Sequence, residues 1–377
     1  MKVLYVYDNL AHWGGIERVF VDKMNYLASE SGYEVYLLTT NQGNHPFTFQ
    51  LNLSVRYEDL AVQAHLQYRY KGLRRYWERF KRHQLLCRRL REKITQISPD
   101  IIVSTTSRYI PELVKLKGSA KLVAESHSGY DNIMEFDVMT LPRLLELNKC
   151  YRNLKQVDVL VALTKGDTAK WRTLLSRAVT IPNIVHLNIS GRYSSCENKR
   201  VIFVGRFVKQ KAIPDLLRIW QLVHQRHPDW QLNMYGGESE HKESMINAIR
   251  QLDANIMIHE PSSDIHSCYC EASLLMLTSL YEPFGLVIPE AMSCGIPVVS
   301  FEGDGPCDII TDGKDGFIVR DRRIEVFVER VCQLIENVSL RKQMGQEAIK
   351  SSQRFAADKI MPKWKALFDT LVNDKKH

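Results

Sequence analysis

The stretch Tyr281-Glu282-Pro283-Phe284-Gly285-Leu286-Val287-Ile288-Pro289-Glu290-Ala291-Met292 decides how this chain is read. An apolar run at 272–280 precedes it and another at 297–301 follows it. Pro283 and Gly285 interrupt the first run, and an apolar pattern resumes behind them, so the segment reads as strand, loop and helix. A helix beginning near Gly285 would turn its unpaired N–H groups toward the carboxyl edge of the sheet, where they form an anion site. The carboxylates Glu282 and Glu290 stand eight positions apart. At 1.5 Å per residue, Glu290 lies about 7 Å along such a helix. That is the gap between a diphosphate and the hydroxyl pair of a ribose, so one segment can hold both halves of a nucleotide-sugar.

Around this stretch, strand and helix patterns alternate. Strand candidates lie at 2–7, 34–39, 101–104, 121–125 and 157–162, with helical periodicity between them, as in 17–27. From His186 to Asn198 the pattern lapses into a polar run, read as a linker at 187–198. Alternation then restarts, with strands at 201–204, 231–234, 255–259, 274–278, 298–301 and 317–319. This implies an α/β chain of two Rossmann-like, doubly wound domains, 1–186 and 199–354, with parallel sheets covered on both faces. Ligands of such folds bind at the carboxyl ends of the strands. A final helix, 355–377, carries Ile360, Trp364, Leu367, Phe368 and Leu371 at helical spacing.

Composition bounds the function. The 377 residues suffice for two domains, and 45% apolar with 25% charged residues is ordinary for a globular protein in water. No apolar run reaches the ~18 residues of a membrane span, and the opening Met-Lys-Val-Leu-Tyr-Val-Tyr-Asp reads as a strand rather than an export signal. Cys87, Cys150, Cys196, Cys268, Cys270, Cys294, Cys307 and Cys332 are scattered without zinc spacing. Reduced thiols and a cytoplasmic location are expected. The net charge of +8 is concentrated in 69–93, where eleven Lys or Arg face only Glu78 and Glu92. Leu73, Trp77 and Phe80 fall on one face of that helix. Two readings stand side by side: an anionic membrane surface as partner, peripheral on the inner face of the plasma membrane, or a solvated helix whose apolar side is core. Nothing else in the chain supports nucleic acid as a partner.

Further motifs carry chemistry. In Phe203-Val204-Gly205-Arg206-Phe207-Val208-Lys209-Gln210-Lys211 a strand ends, a glycine allows close approach, and Arg206 and Lys211 follow in a loop. Arg206 can grip phosphate bidentately and Lys211 acts as a point charge. Trp13-Gly14-Gly15-Ile16-Glu17-Arg18 puts two glycines between a strand and a helix, without the Gly-x-Gly-x-x-Gly of dinucleotide dehydrogenases. Glu125-Ser126-His127 follows the strand 122–124.

Taken together these motifs resemble retaining glycosyltransferases of family 4, which have the GT-B fold. The resemblance is specific in 205–211 and 282–297, and looser in the first domain. It implies two domains facing a cleft, with the last helix crossing back to the first domain. It implies that Arg206, Lys211 and the N–H groups of Phe284, Gly285, Leu286 and Val287 hold the donor diphosphate. Glu290 would take the ribose hydroxyls, and Gly14 and Gly15 would face the phosphates from the other side. His127 is implied near the reacting centre. Glu282 would contact hydroxyls of the donor sugar, with a nucleophilic role as the alternative. Thr164 and Asn183 stand at supporting positions. In Gly303-Asp304-Gly305-Pro306-Cys307-Asp308-Ile309-Ile310, which closes over the donor site in the family, Asp308 replaces the usual Glu. Ala212 replaces a usual Gly, and Tyr235-Gly236-Gly237-Glu238 stands where many members have Gly-x-Gly.

The chemistry these parts share is stabilisation of a departing diphosphate by positive groups. No metal or cofactor is then required, and the chain has no Asp-x-Asp pair. The reading is a hexosyltransferase using a UDP-sugar (galactose, glucose or an N-acetylhexosamine) with a saccharide acceptor, lipid-linked, in bacterial surface polysaccharide synthesis. A nucleotide-sugar epimerase or hydrolase on the same fold would share the phosphate groups. A non-catalytic two-domain binding protein would need neither the paired cations nor the paired glutamates.

Overall fold

A computed structural model describes residues 1–106, 108–134, 141–188, 190–237, 246, 249, 252 and 254–373, with the backbone path alone for 141–146. The chain divides into two units: Met1–Ile184 joined by the segment from Ile360, and Val185–Lys359.

The first unit holds seven strands: β1 (Lys2–Tyr7), β2 (Glu34–Thr39), β3 (Arg56–Asp59), β4 (Ile101–Thr105), β5 (Lys121–Ser126), β6 (Val159–Ala162) and β7 (Ala178–Thr180). They pair in the order β3-β2-β1-β4-β5-β6-β7, every pair parallel. Because side chains alternate across a strand, Leu4 and Val6 point to one face of β1 and Tyr5 and Tyr7 to the other. The first face packs on Leu86, Leu90, Ile94 and Ile97 of the helix Gly72–Ile97. On the second, Phe20 of the helix Gly15–Ser29 lies 5.6 Å from the Tyr5 ring and 5.0 Å from the Tyr7 ring. The helix Ala357–Asn373 completes this unit, with Ile360, Met361, Trp364, Phe368 and Leu371 buried and Lys365 paired with Glu30 at 2.7 Å. Residues 374–377 of the expected helix lie outside the described residues.

The second unit has β8 (Arg200–Val204), β9 (Gln231–Tyr235), β10 (Ile256–His259), β11 (Leu274–Leu277), β12 (Val298–Phe301) and β13 (Gly316–Val319). Their order is β10-β9-β8-β11-β12-β13, again all parallel. Ile213, Leu216, Trp220 and Val223 of the helix Ile213–Arg226, and Phe327, Val331 and Leu334 of the helix Ile324–Glu336, cover one face. In both units the strand order reverses beside the first strand of the set, which leaves a crevice at the carboxyl edge. In the second unit it opens between β8 and β11.

The polar run read as a linker is bonded into the second unit. Asn188 N–H donates to Ser293 Oγ at 2.9 Å and Ser194 N–H to the Cys294 carbonyl at 2.9 Å. Arg341, 1% exposed, donates from Nε to the Cys196 carbonyl at 2.9 Å and from its terminal nitrogen to the Ile335 carbonyl at 2.7 Å, and it also bonds Leu334. It thereby satisfies the last carbonyls of the helix Ile324–Glu336 and pins the segment to them. A buried charge bonded in this way is costly to delete. Arg341→Ala is expected to lower the stability of the second unit by about 3 kcal/mol, read as an earlier urea transition.

Candidate functional site

The candidate site of the second unit is built from the loops that leave β8 and β11 at the crevice. Leu280 N–H donates to the Gln210 carbonyl at 2.7 Å, Gln210 Nε2 to the Tyr281 carbonyl at 3.0 Å, and Thr278 Oγ1 to the Lys211 carbonyl at 3.0 Å. The two loops are therefore one rigid piece. Between them, Lys211 Nζ donates to Glu282 Oε2 at 2.7 Å, and Ser279 Oγ donates to the same oxygen at 3.0 Å. Arg322 supports the strand end, bonding the Thr278 and Ser279 carbonyls at 2.9 and 2.8 Å and Asp215 at 2.6 Å. Neither Ser279 nor Arg322 was expected here. The guanidinium of Arg206 is exposed and has no partner among the described residues.

Glycines set the close approaches. A Cβ on Gly205 would stand 3.2 Å from Lys211 Cε, and one on Gly236 would overlap the Gly205 carbonyl. Gly285 has φ +88, left-handed, and its missing side chain would stand 2.8 Å from Glu282 Cγ. A Cβ on Gly305 would stand 2.6 Å from the Glu282 carbonyl, the same oxygen that accepts from Gly305 N–H at 2.9 Å. The Gly303–Ile310 element thus braces the loop that carries Glu282 and Phe284.

The helix expected from Gly285 begins at Val287 and is short, Val287–Ser293. Ile288 N–H bonds the Gly285 carbonyl at 2.9 Å and Pro289 has no N–H, so the donors not so committed come from the loop residues Phe284 to Val287. Glu290 is buried, with Tyr269 Oη donating to it at 3.5 Å. Burial, and then the Glu290 charge, push the Tyr269 phenol well up, so it remains a donor. Tyr235 and His259, at the ends of β9 and β10, stack with ring centroids 4.4 Å apart. Glu238 lies outside the described residues.

In the first unit, Gly14 precedes the helix Gly15–Ser29, and a Cβ there would overlap the Glu17 carboxylate, which folds back over the helix start. Gly15 opens the helix and is exposed. Thr164 caps the helix Lys165–Arg172, accepting from Asp167 N–H at 3.2 Å, and Asn183 is buried. His127 follows β5. Its side chain is only 3% exposed, and Nε2 lies 2.9 Å from Glu125 Oε2. The same oxygen is ion-paired with Lys23, a buried lysine that the sequence reading did not single out.

The basic segment divides along its length. Leu86, Leu90, Ile94 and Ile97 are core, while Leu73 (88% exposed), Tyr76, Trp77 (56%) and Phe80 face outward. The core reading holds for the carboxyl half of that helix, while the amino half presents basic and aromatic side chains outward. Among the described residues no helix is long and apolar enough to cross a membrane, and no three His, Cys, Asp or Glu side chains cluster as metal ligands.

The sequence profile described as Glycosyltransferase Family 4 matches residues 13–189, and that described as Glycosyl transferases group 1 matches residues 193–351. The chain belongs to glycosyltransferase family 4. It is 26% identical over 373 residues to an uncharacterized glycosyltransferase of Haemophilus influenzae, covering 97% of this chain and 99% of that one. It is 25% identical over 380 residues to the amylovoran biosynthesis glycosyltransferase AmsD of Erwinia amylovora, covering 96% and 98%. The crystal structure of Anabaena HepE in complex with UDP superposes with a TM-score of 0.76 at 16% identity, over 98% of this chain and 100% of that one. This family 4 glycosyltransferase thus has the GT-B fold.

One departure from the family motif has a visible physical consequence. Ala212, between the turn Lys209–Lys211 and the helix Ile213–Arg226, is left-handed with φ 46 and ψ 51. That conformation costs alanine roughly 1–2 kcal/mol. Glycine would relieve it but forfeit a buried methyl, about 0.8 kcal/mol, and lose more chain entropy on folding, about 0.5–1 kcal/mol. Ala212→Gly is therefore expected to leave the thermal midpoint nearly unchanged. Ala212→Val places a β-branched residue at positive φ and is expected to destabilise by about 2 kcal/mol, read in the same melting experiment.

Proposed function

We propose that this enzyme is a retaining hexosyltransferase that uses a UDP-sugar and transfers galactose, glucose or an N-acetylhexosamine to a saccharide acceptor, lipid-linked, in surface polysaccharide synthesis. The observation that carries the donor side is that Arg206, on the same loop after β8 as Lys211, has an exposed guanidinium without a partner among the described residues. An ammonium has three protons, and Lys211 is bonded to Glu282 through one, so it can bridge Glu282 and a phosphate. The N–H groups of Phe284 to Val287 add donors on the same edge. Together they would stabilise the charge that develops on the diphosphate as the sugar–phosphate bond breaks, without a metal. Glu282, held by Lys211 and Ser279, would serve as a fixed acceptor for donor-sugar hydroxyls rather than as a free nucleophile. Retention would follow from attack on the face the diphosphate leaves, with a leaving-group oxygen taking the acceptor proton. The names of the relatives support this reading: one is assigned to amylovoran biosynthesis and another was solved with UDP.

Titration calorimetry in EDTA tests the donor side. UDP is expected to bind, and Arg206→Ala and Lys211→Ala are each expected to weaken it by about 1.5–3 kcal/mol, the worth of a hydrogen bond to a charged group. Unchanged affinity in both variants, or binding that needs added metal, defeats the reading.

The acceptor side rests on the outward half of the helix Gly72–Ile97. Arg74, Arg75 and Arg79 stand there among Leu73, Tyr76, Trp77 and Phe80, and the Trp77 and Phe80 rings stack 6.1 Å apart. Basic charge beside exposed aromatics complements an anionic bilayer surface, each charge contributing about 1 kcal/mol near it. Arg82 is a poor probe because it donates to the Val62 carbonyl at 2.9 Å. The protein is expected to float with phosphatidylglycerol-containing liposomes. Changing Arg74, Arg75 and Arg79 to Glu should weaken that association at least a hundredfold, and equal flotation would remove the membrane from the proposal.

A further inference from the structure

The buried charges of the first unit are not absorbed by the donor site. Lys23 lies on the helix Gly15–Ser29 among Phe20, Met24 and Leu27, all buried. Its ammonium is 4.8 Å from the Phe20 ring centroid and 4.4 Å from that of Trp364, on the helix Ala357–Asn373. It pairs with Glu125 Oε2, which also meets His127 Nε2 at 2.9 Å. Burial alone would raise the Glu125 carboxyl, but Lys23 and the His127 bond outweigh it and hold the group below its ordinary value. Glu125 Oε1 has no partner among the described residues, and neither has the Tyr5 hydroxyl. A buried pair of this kind contributes little stability compared with apolar side chains of the same size, so its placement calls for another reason.

We propose that Lys23 and Glu125 are positioning residues that fix the tautomer of His127. This rests on the reading of His127 as a group that meets substrate. A carboxylate only accepts, so the proton on the imidazole sits at Nε2. Nδ1, which has no partner among the described residues, is left with a lone pair. Lys23 shares that carboxylate oxygen and holds it against the ring. Phe20, with its ring centroid 5.6 Å from that of His127, limits rotation. The ring is then a fixed acceptor, and the ligand chemistry it suits is a sugar hydroxyl donating to Nδ1. The side chain of Trp364 roofs Lys23, so the C-terminal helix is part of the arrangement.

The test uses the full chain carrying ring-15N histidine, with the His127 signal assigned by its loss in His127→Ala. Turnover is read as UDP released from whichever of UDP-galactose, UDP-glucose and UDP-N-acetylglucosamine reacts. The wild type should show a single Nε2–H tautomer at His127. Lys23→Met strands a buried carboxylate and can fail to fold, so the deciding variant is Lys23→Met with Glu125→Gln, which removes both charges together. It should retain cooperative melting and UDP affinity within twofold, show mixed tautomers, and lose at least tenfold in kcat. A single Nε2–H tautomer with wild-type kcat in that variant overturns the proposal. So does wild-type turnover in His127→Ala, because nothing would then depend on the ring; that result would leave the calorimetric test of the donor site standing.

Discussion

The ion pair between Lys211 and Glu282 is the constraint around which the second unit is organised. Its two members leave different strands, β8 and β11, which are neighbours only because the sheet reverses its order there. Everything close to the pair serves to bring two loops within 2.7 Å of each other. Gln210 and Thr278 tie the loop backbones together, and Arg322 holds the end of β11. The glycines act to the same end. Gly205 leaves room for the lysine stem, Gly236 lets its backbone approach Gly205, and Gly305 lets the next element rest on the Glu282 carbonyl. If the crevice takes a diphosphate, as proposed, it must hold positive charge without collapsing or unfolding. Pairing one cation with a carboxylate and leaving the other, Arg206, in solvent meets that demand.

Much of this was legible in the sequence, for physical reasons. Strands buried on both faces give dense apolar runs, so β1, β2, β4, β5, β8, β11 and β12 stand out, and the motif residues fall at their ends. The edge strands β3 and β7 do not. Arg56-Tyr57-Glu58-Asp59 pairs on one side only and is largely exposed, and nothing apolar marks it. The polar stretch 187–198 reads as a linker because its contacts are made by backbone and by small hydroxyl and thiol groups, which leave no hydrophobic trace. The helix expected to begin near Gly285 begins at Val287, because Leu286 still belongs to the turn.

Among the residues of the candidate site, Arg206, Lys211, Glu282 and Glu290 were legible from spacing, and the first three lie on one pair of loops. Arg322 was not, since it arrives from beyond β13 and only the fold brings it to β11. Lys23 did leave a signal. A lysine at the third position after Phe20, with Met24 and Leu27 on the same face, sits where a helix buries its stripe. A charge on that stripe calls for a buried partner of opposite sign, and the sequence contains many carboxylates. Which of them lies within reach depends on β5 lying beside β4 in the sheet, a long-range fact that local pattern does not carry.

Each unit holds a lysine–glutamate pair near the carboxyl edge of its sheet, Lys23 with Glu125 and Lys211 with Glu282. The two differ in exposure, and the difference has a chemical meaning. Lys23 and Glu125 are 2% and 1% exposed at the side chain, whereas Lys211 and Glu282 are 13% and 11% exposed. The sealed pair, on the proposal above, acts through His127, which Glu125 touches. The partly open pair keeps spare protons and lone pairs at the surface of the crevice and can share them with whatever enters. In both, the opposite charges cancel while the hydrogen-bonding geometry remains, so orientation is retained where net charge would be too costly to bury.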